Sequence, residues 1–145
     1  MYYAGIDPGK KGALAVIYPD GTVHVSPLEG ILFDTILFAL SKEKCRICLE
    51  KVHAMPHQGV TSTFNFGVQY GWIKGLLDAY QISYQQVPPE RWKKEFGLNT
   101  DKQKSIEVCR QLFPTVNLRP TERSRVDDNN MAEAVLMAEY ARRKL

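Results

Sequence analysis

The chain has 145 residues, 44% of them hydrophobic and 24% charged, with a formal net charge of +3. That length suits a single domain over residues 1–145, with a core that needs neither disulfides nor a structural metal. No apolar stretch approaches a membrane span, and the opening Met-Tyr-Tyr-Ala-Gly-Ile-Asp shows no basic leader and no cleavable apolar region, so a cytoplasmic protein without a membrane partner is expected.

Residues 2–7 and 12–18 are rich in β-formers and are separated by Pro8-Gly9-Lys10-Lys11. The second run ends at Pro19-Asp20-Gly21, a hairpin signal, and Thr22–Val25 returns from it, so three antiparallel strands open the fold. Residues 29–40 carry Ile31, Leu32, Ile36, Leu37 and Leu40 at helical spacing. Cys45–Val52 reads as a strand whose apolar centre, Ile47-Cys48-Leu49, suits burial on both faces. A loop from His53 to Thr61 leads into a helix from about Ser62 to Tyr80. Gly67, Gly71 and Gly75 recur along that helix every four residues, a row that predicts close approach of a neighbour, either the sheet or a second subunit.

Ile82–Val87 is the fifth strand, ended by Pro88-Pro89, and a short helix over Pro89–Phe96 has Pro89 in its first turn. Asp101 or Thr100 caps a helix at Lys102–Phe113. Residues 114–127 form a polar, Arg-rich loop, and the last helix spans about Asp128 to Arg143 with Asp127 or Asp128 near its cap. Strands entering through helical crossovers must lie parallel beside the first. The expected fold is α/β: a mixed five-stranded sheet, a three-stranded antiparallel meander plus two parallel strands, flanked by helices.

Four positions read as one metal site. Asp7 and Glu50 each end an apolar run, while Asn129 and Glu133 lie four apart at the start of the last helix and share one face. Converging carboxylates hold Mg²⁺ for phosphodiester hydrolysis, and all-oxygen ligands also admit Mn²⁺. Asn129 supplies a neutral oxygen, which removes one charge from the set; Asp128 is the neighbour that could restore it. Three cysteines, Cys45, Cys48 and Cys109, are an odd count that argues against a disulfide framework. Cys45 and Cys48 with His53 and His57 superficially resemble a zinc knuckle, but residues three apart on a strand point to opposite faces, so buried thiols are expected. Cations gather in the second half, at Arg91, Lys93 and Lys94, at Lys102 and Lys104, at Arg119, Arg123 and Arg125, and at Arg142 to Lys144. Such clustering suggests a polyanion-facing surface.

Gly5-Ile6-Asp7-Pro8-Gly9, Leu49-Glu50-Lys51-Val52, Val87-Pro88-Pro89-x-x-Trp92-Lys93 and Ala132-Glu133-Ala134 together resemble the RuvC family, Holliday-junction resolvases of the RNase H-like superfamily. Pro56-x-Gln58-Gly59-Val60-x-Ser62 and Ala138-Glu139-Tyr140-Ala141-Arg142-Arg143 are most similar to its phage-type branch, where an aspartate stands at the position of Asn129. The resemblance covers nearly the whole chain, in order. It implies an RNase H-like fold and a homodimeric endonuclease that cuts four-way and other branched DNA with two Mg²⁺ ions per site, Mn²⁺ substituting. Asp7, Glu50, Asn129 and Glu133 would be the ligands, with Lys93 and Lys104 near the scissile phosphate. Arg91, Lys94 and Lys102 would neutralise backbone phosphates. His53 stands where relatives carry an aromatic wedge, with Met55, His57 and Gln58 in the same loop, whereas Phe64 and Phe66 read as core or interface. Two rival readings are a branched-DNA-binding protein that no longer cuts, because of Asn129, and an RNase of the RuvX type.

Overall fold

The computed structural model describes all 145 residues. Five strands, β1 (Tyr2–Asp7), β2 (Ala13–Ile17), β3 (Val23–Pro27), β4 (Cys45–Glu50) and β5 (Tyr84–Val87), form one sheet in the order β3-β2-β1-β4-β5. β1 is central. It pairs antiparallel with β2 and parallel with β4, while β2–β3 is antiparallel and β4–β5 parallel. This is the mixed sheet expected from the sequence. At the β2–β3 turn Asp20 accepts hydrogen bonds from the Thr22 amide and hydroxyl at 2.9 and 2.7 Å, and Gly21 takes the left-handed backbone the turn requires, φ +87°.

Helices cover both faces. α1 (Gly30–Leu40) and α2 (Val60–Ala79) lie on one side; α3 (Pro89–Glu95), α4 (Lys102–Leu112) and α5 (Asn129–Lys144) belong to the other. Strand alternation divides the core accordingly. Ala4, Ile6, Ile47 and Leu49 pack with Phe33, Leu37, Ile73 and Leu77, whereas Cys48 and Val87 pack with Trp92 of α3 and with Leu136 and other residues of α5. Cys45 and Cys48 therefore do point to opposite faces. All three cysteines are free thiols, and burial pushes Cys48 and Cys109 up to about 12.

The contact that sets the geometry is between β1 and α5. A Cβ on Gly5 would stand 2.2 Å from the carbonyl oxygen of Ala134 and 2.4 Å from the amide nitrogen of Ala138. Only glycine lets the helix backbone lie this close to the strand. α5 runs back along β1: its first turn lies by the strand's C-terminal end, and the Arg46 guanidinium at the other end donates to the Leu145 carbonyl. Asp128, not Asp127, is the N-cap of α5, accepting from the Met131 amide at 2.9 Å. Asp101 likewise caps α4.

One expectation needs correction, and two that offered alternatives lose one of them. The loop at 114–127 is not simply polar, because Val116 and Leu118 are buried in the core; Arg110 ties it down through the Val116 carbonyl and through Asp127 at 3.0 Å. The glycine row of α2 meets no sheet: Cβ atoms at Gly67, Gly71 and Gly75 would find nothing within 4 Å. Only Ile73 and Leu77 of α2 are buried, so its N-terminal half projects past the core. Phe64 on that half is 70% exposed and belongs to neither apolar cluster. No helix is long and apolar enough to cross a membrane.

Candidate active site at the ends of the parallel strands

Asp7 and Glu50 are brought together by register. Ile6 is paired with Leu49 across the parallel β1–β4 ladder, so the next residue on each strand falls side by side at the C-terminal edge. Alternation turns both toward α5, because Asp7 shares a face with Gly5 and Glu50 with Cys48. Glu133 approaches from α5, one turn into the helix. Its neighbour Ala134 is the residue whose carbonyl crowds Gly5, so the close strand–helix contact delivers this carboxylate to the strand ends.

The electrostatics record the convergence. Asp7 is only 8% exposed, and its carboxyl is pushed up to about 7, chiefly by burial and then by the charge of Glu50. Glu133 and Asp128 push in the same direction, against a 3.1 Å hydrogen bond from the Gly9 amide that favours the charged form. Glu50 is raised by burial, and Glu133 adds to that; the Trp92 indole N–H, donating to Oε2 at 2.8 Å, and the Lys93 charge oppose it. Glu133 is also raised by burial. Lys93, at 3.7 Å from Oε1, the Ser105 hydroxyl, donating at 3.4 Å, and Lys102 pull it back.

Buried Asp7 is raised by the charges of half-buried Glu50 and Glu133, and Glu50 by that of Glu133, while Lys93 and Lys102 offset part of the negative charge. Oxygen donors with a charge deficit are the chemistry a hard divalent cation fits. No three His, Cys, Asp or Glu side chains are gathered tightly enough to hold an ion as they stand. Lys93 and Trp92 engage two of the carboxylates instead.

Asn129 is the first residue of α5 and half-buried, carrying no charge into the site; Asp128 beside it does act on Asp7. Lys104 is half-buried on α4. Arg91 and Lys94 are exposed on α3, flanking Trp92 and Lys93. His53, Met55 and Gln58 line a cleft with Lys51, Val52 and Glu90, within which the Gln58 carbonyl accepts from the Met55 amide at 3.2 Å. His57 is exposed in the same loop with a left-handed backbone, φ +66°. The most C-terminal cations do not join this surface: Arg142 and Arg143 grip the buried Glu139 at 2.7 and 2.8 Å, and Lys144 and Arg143 both reach Glu95 at 3.3 Å.

Two residues of the site carried no assigned role in the sequence reading, Trp92 and Ser105. Trp92 is fully buried, and an indole N–H in a core needs an acceptor, which was the available signal. Ser105, a buried hydroxyl within a helix of alternating charge, offered none.

The fold that carries this site is RNase H-like. Among solved structures, Thermus thermophilus RuvC in complex with a Holliday junction substrate is similar at TM-score 0.64 and 16% identity, over 99% of this chain and 97% of that one. A second Thermus thermophilus RuvC structure is similar at TM-score 0.60 and 15% identity, over 95% and 91%. At these identities the likeness is one of fold. No protein-family model matches the sequence, and no curated protein is similar to it at the sequence level.

Proposed function

We propose that this chain is a RuvC-like, phage-type endonuclease that resolves four-way DNA junctions, and other branched DNA, by divalent-metal-dependent phosphodiester hydrolysis. The observation that carries the reading is the set of buried Asp7 and half-buried Glu50 and Glu133, which come from two parallel strand ends and one helix and act on one another by charge. The junction-bound RuvC of matching fold supports the choice of substrate.

Asp7, Glu50 and Glu133 would hold two Mg²⁺ ions, or Mn²⁺, with Asn129 or Asp128 completing the set. Such ions supply Lewis-acid stabilisation of the phosphodiester and a water of lowered pKa. Trp92 and Ser105 orient Glu50 and Glu133. Lys93, now paired with Glu133, is placed to release it and meet a phosphate oxygen instead, with Lys104 as a second ammonium at the scissile group. Arg91, Lys94 and Lys102 would neutralise flanking phosphates, which makes affinity salt-dependent. His53, Met55, His57 and Gln58 would meet the DNA at the branch.

Symmetric nicks call for two sites related by a two-fold axis. The exposed stripe on α2, Val60 at 88%, Phe64 at 70% and Val68 at 57%, beside the open Gly67, Gly71 and Gly75, is self-complementary: two copies of that helix can cross closely and bury it. Phe64→Glu should leave a monomer in sedimentation.

The test is cleavage of synthetic four-way junctions, flaps, linear duplexes and RNA in Mg²⁺ and in EDTA. Junction cutting that needs metal and is lost in Asp7→Asn, Glu50→Gln and Glu133→Gln is expected; cutting of RNA alone would move the reading to an RNase of the RuvX type. A second reading, a junction-binding protein that does not cut, draws support from the neutral amide of Asn129. Restoring the carboxylate with Asn129→Asp separates the two, since a strong gain in cutting identifies the asparagine as a lesion in an enzyme.

A further inference from the structure

A cleft of about 570 Å³ lies between the β1–β2 turn and the projecting half of α2. The turn supplies Lys10; the helix supplies Thr61, Asn65, Phe66 and Gln69. Phe66 is also a wall of the cleft that holds Lys51, the residue directly after Glu50. One aromatic ring therefore lines both clefts, the second of which also holds His53, Met55 and Gln58. That ring is half-buried, yet it belongs to neither apolar core. An aromatic that close to the surface and outside the core is available to a ligand.

The lining identifies what fits. An anion alone would be met by several cations, and Lys10 is the single one here; a wholly apolar ligand would leave Thr61, Ser62, Asn65 and Gln69 without partners, while Leu28 and Phe66 give the cleft an apolar part. Asn65 and Gln69 are four apart on α2, so their amides share one face. A flat π surface, paired amides and one ammonium correspond to the three parts of a nucleotide: the face of the base, its hydrogen-bonding edge and its phosphate. The volume lies within the range of about 300–1,000 Å³ usual for small-ligand pockets.

We propose that this cleft takes one unpaired nucleotide from the branch point of the DNA substrate, its base stacked on Phe66, its edge read by Asn65 and Gln69, and its phosphate met by Lys10. The assignment rests on the nuclease reading and deepens it, because it makes the chain sensitive to the base beside the cut.

The experiment is a double-mutant cycle on the full chain, binding fluorescent four-way junctions in EDTA, with an abasic site placed at each branch-point position in turn. At one position, removing the base should weaken wild-type binding about tenfold, the scale of one base–aromatic stack. Phe66→Leu should weaken binding of the intact junction by a similar factor, and the two changes together should add nothing further. Phe66→Tyr should keep the dependence on the base, and Gln69→Ala should keep the stack while flattening preference among the four bases at that position. Independent, multiplicative losses at every position would overturn the proposal while leaving junction binding, and hence the nuclease reading, intact. A wild-type chain that binds no branched DNA would overturn both.

Discussion

Asp7→Asn tests whether the site is a strained collection of charges held for a purpose. The Asp7 carboxyl is raised from 3.8 to about 7, which amounts to about 4 kcal/mol against the ionised form in the fold. Because the folded value lies above the unfolded one, this cost is absent below about pH 4, grows as pH rises and is complete above about pH 7. Asparagine mimics the neutral form and can keep the Gly9 amide bond. In EDTA at pH 8 the variant should be more stable than wild type by about 2–4 kcal/mol; with a urea slope of about 2 kcal/mol/M, its midpoint should rise by roughly 1–2 M. At pH 4 the two curves should nearly coincide. Urea titrations at pH 4, 6 and 8 measure this directly. An equal gain at every pH, or none at pH 8, would refute the argument that charge crowding at Asp7 opposes folding. Stability gained with activity lost is the usual trade at a catalytic site.

Trp92→Phe keeps the ring and removes the N–H that serves Glu50; the buried acceptor left behind should cost about 1–3 kcal/mol in denaturant unfolding, and junction cleavage should fall with it. Gly5→Ala drives a methyl into the backbone of α5 and should cost at least about 3 kcal/mol; a calorimetric trace like wild type would contradict the close contact at Ala134. Glu139 is held below the usual carboxylate range, against burial, by hydrogen bonds and charge from Arg142 and Arg143, so its contribution is present above the ordinary glutamate pKa and is lost as pH falls through the lowered one. Glu139→Gln should therefore lower thermal stability at pH 7, and the difference from wild type should shrink toward acid pH.

The sheet was readable because its strands announce themselves: Ile47-Cys48-Leu49 can be continuously apolar only with both faces covered, and two helical crossovers leave little choice but strands parallel to the first. Asp7, Glu50 and Glu133 were visible for the same reason, as acids placed where burial makes an acid costly. What escaped notice depends on partners far apart in the chain. Trp92 meets a residue 42 positions away and Ser105 one 28 positions away, and no local period encodes either meeting. Val116 and Leu118 were hidden among arginines and prolines, since two apolar residues in an irregular segment set up no rhythm. The start of α2 fell at Val60 instead of Ser62 because Gly59 caps it without a side-chain hydrogen bond, leaving no signature to read.

The pairing of Arg142, Arg143 and Lys144 with Glu139 and Glu95 has an effect on the molecule as a whole. These cations lie toward the end of α5 remote from the strand-end acids, and their fields are largely cancelled there. Arg91, Lys94 and Lys102, by contrast, are exposed on α3 and α4 and take part in no ion pair. Under the proposed function these three remain available to backbone phosphates while the end of α5 is not, and added salt should slow association through them.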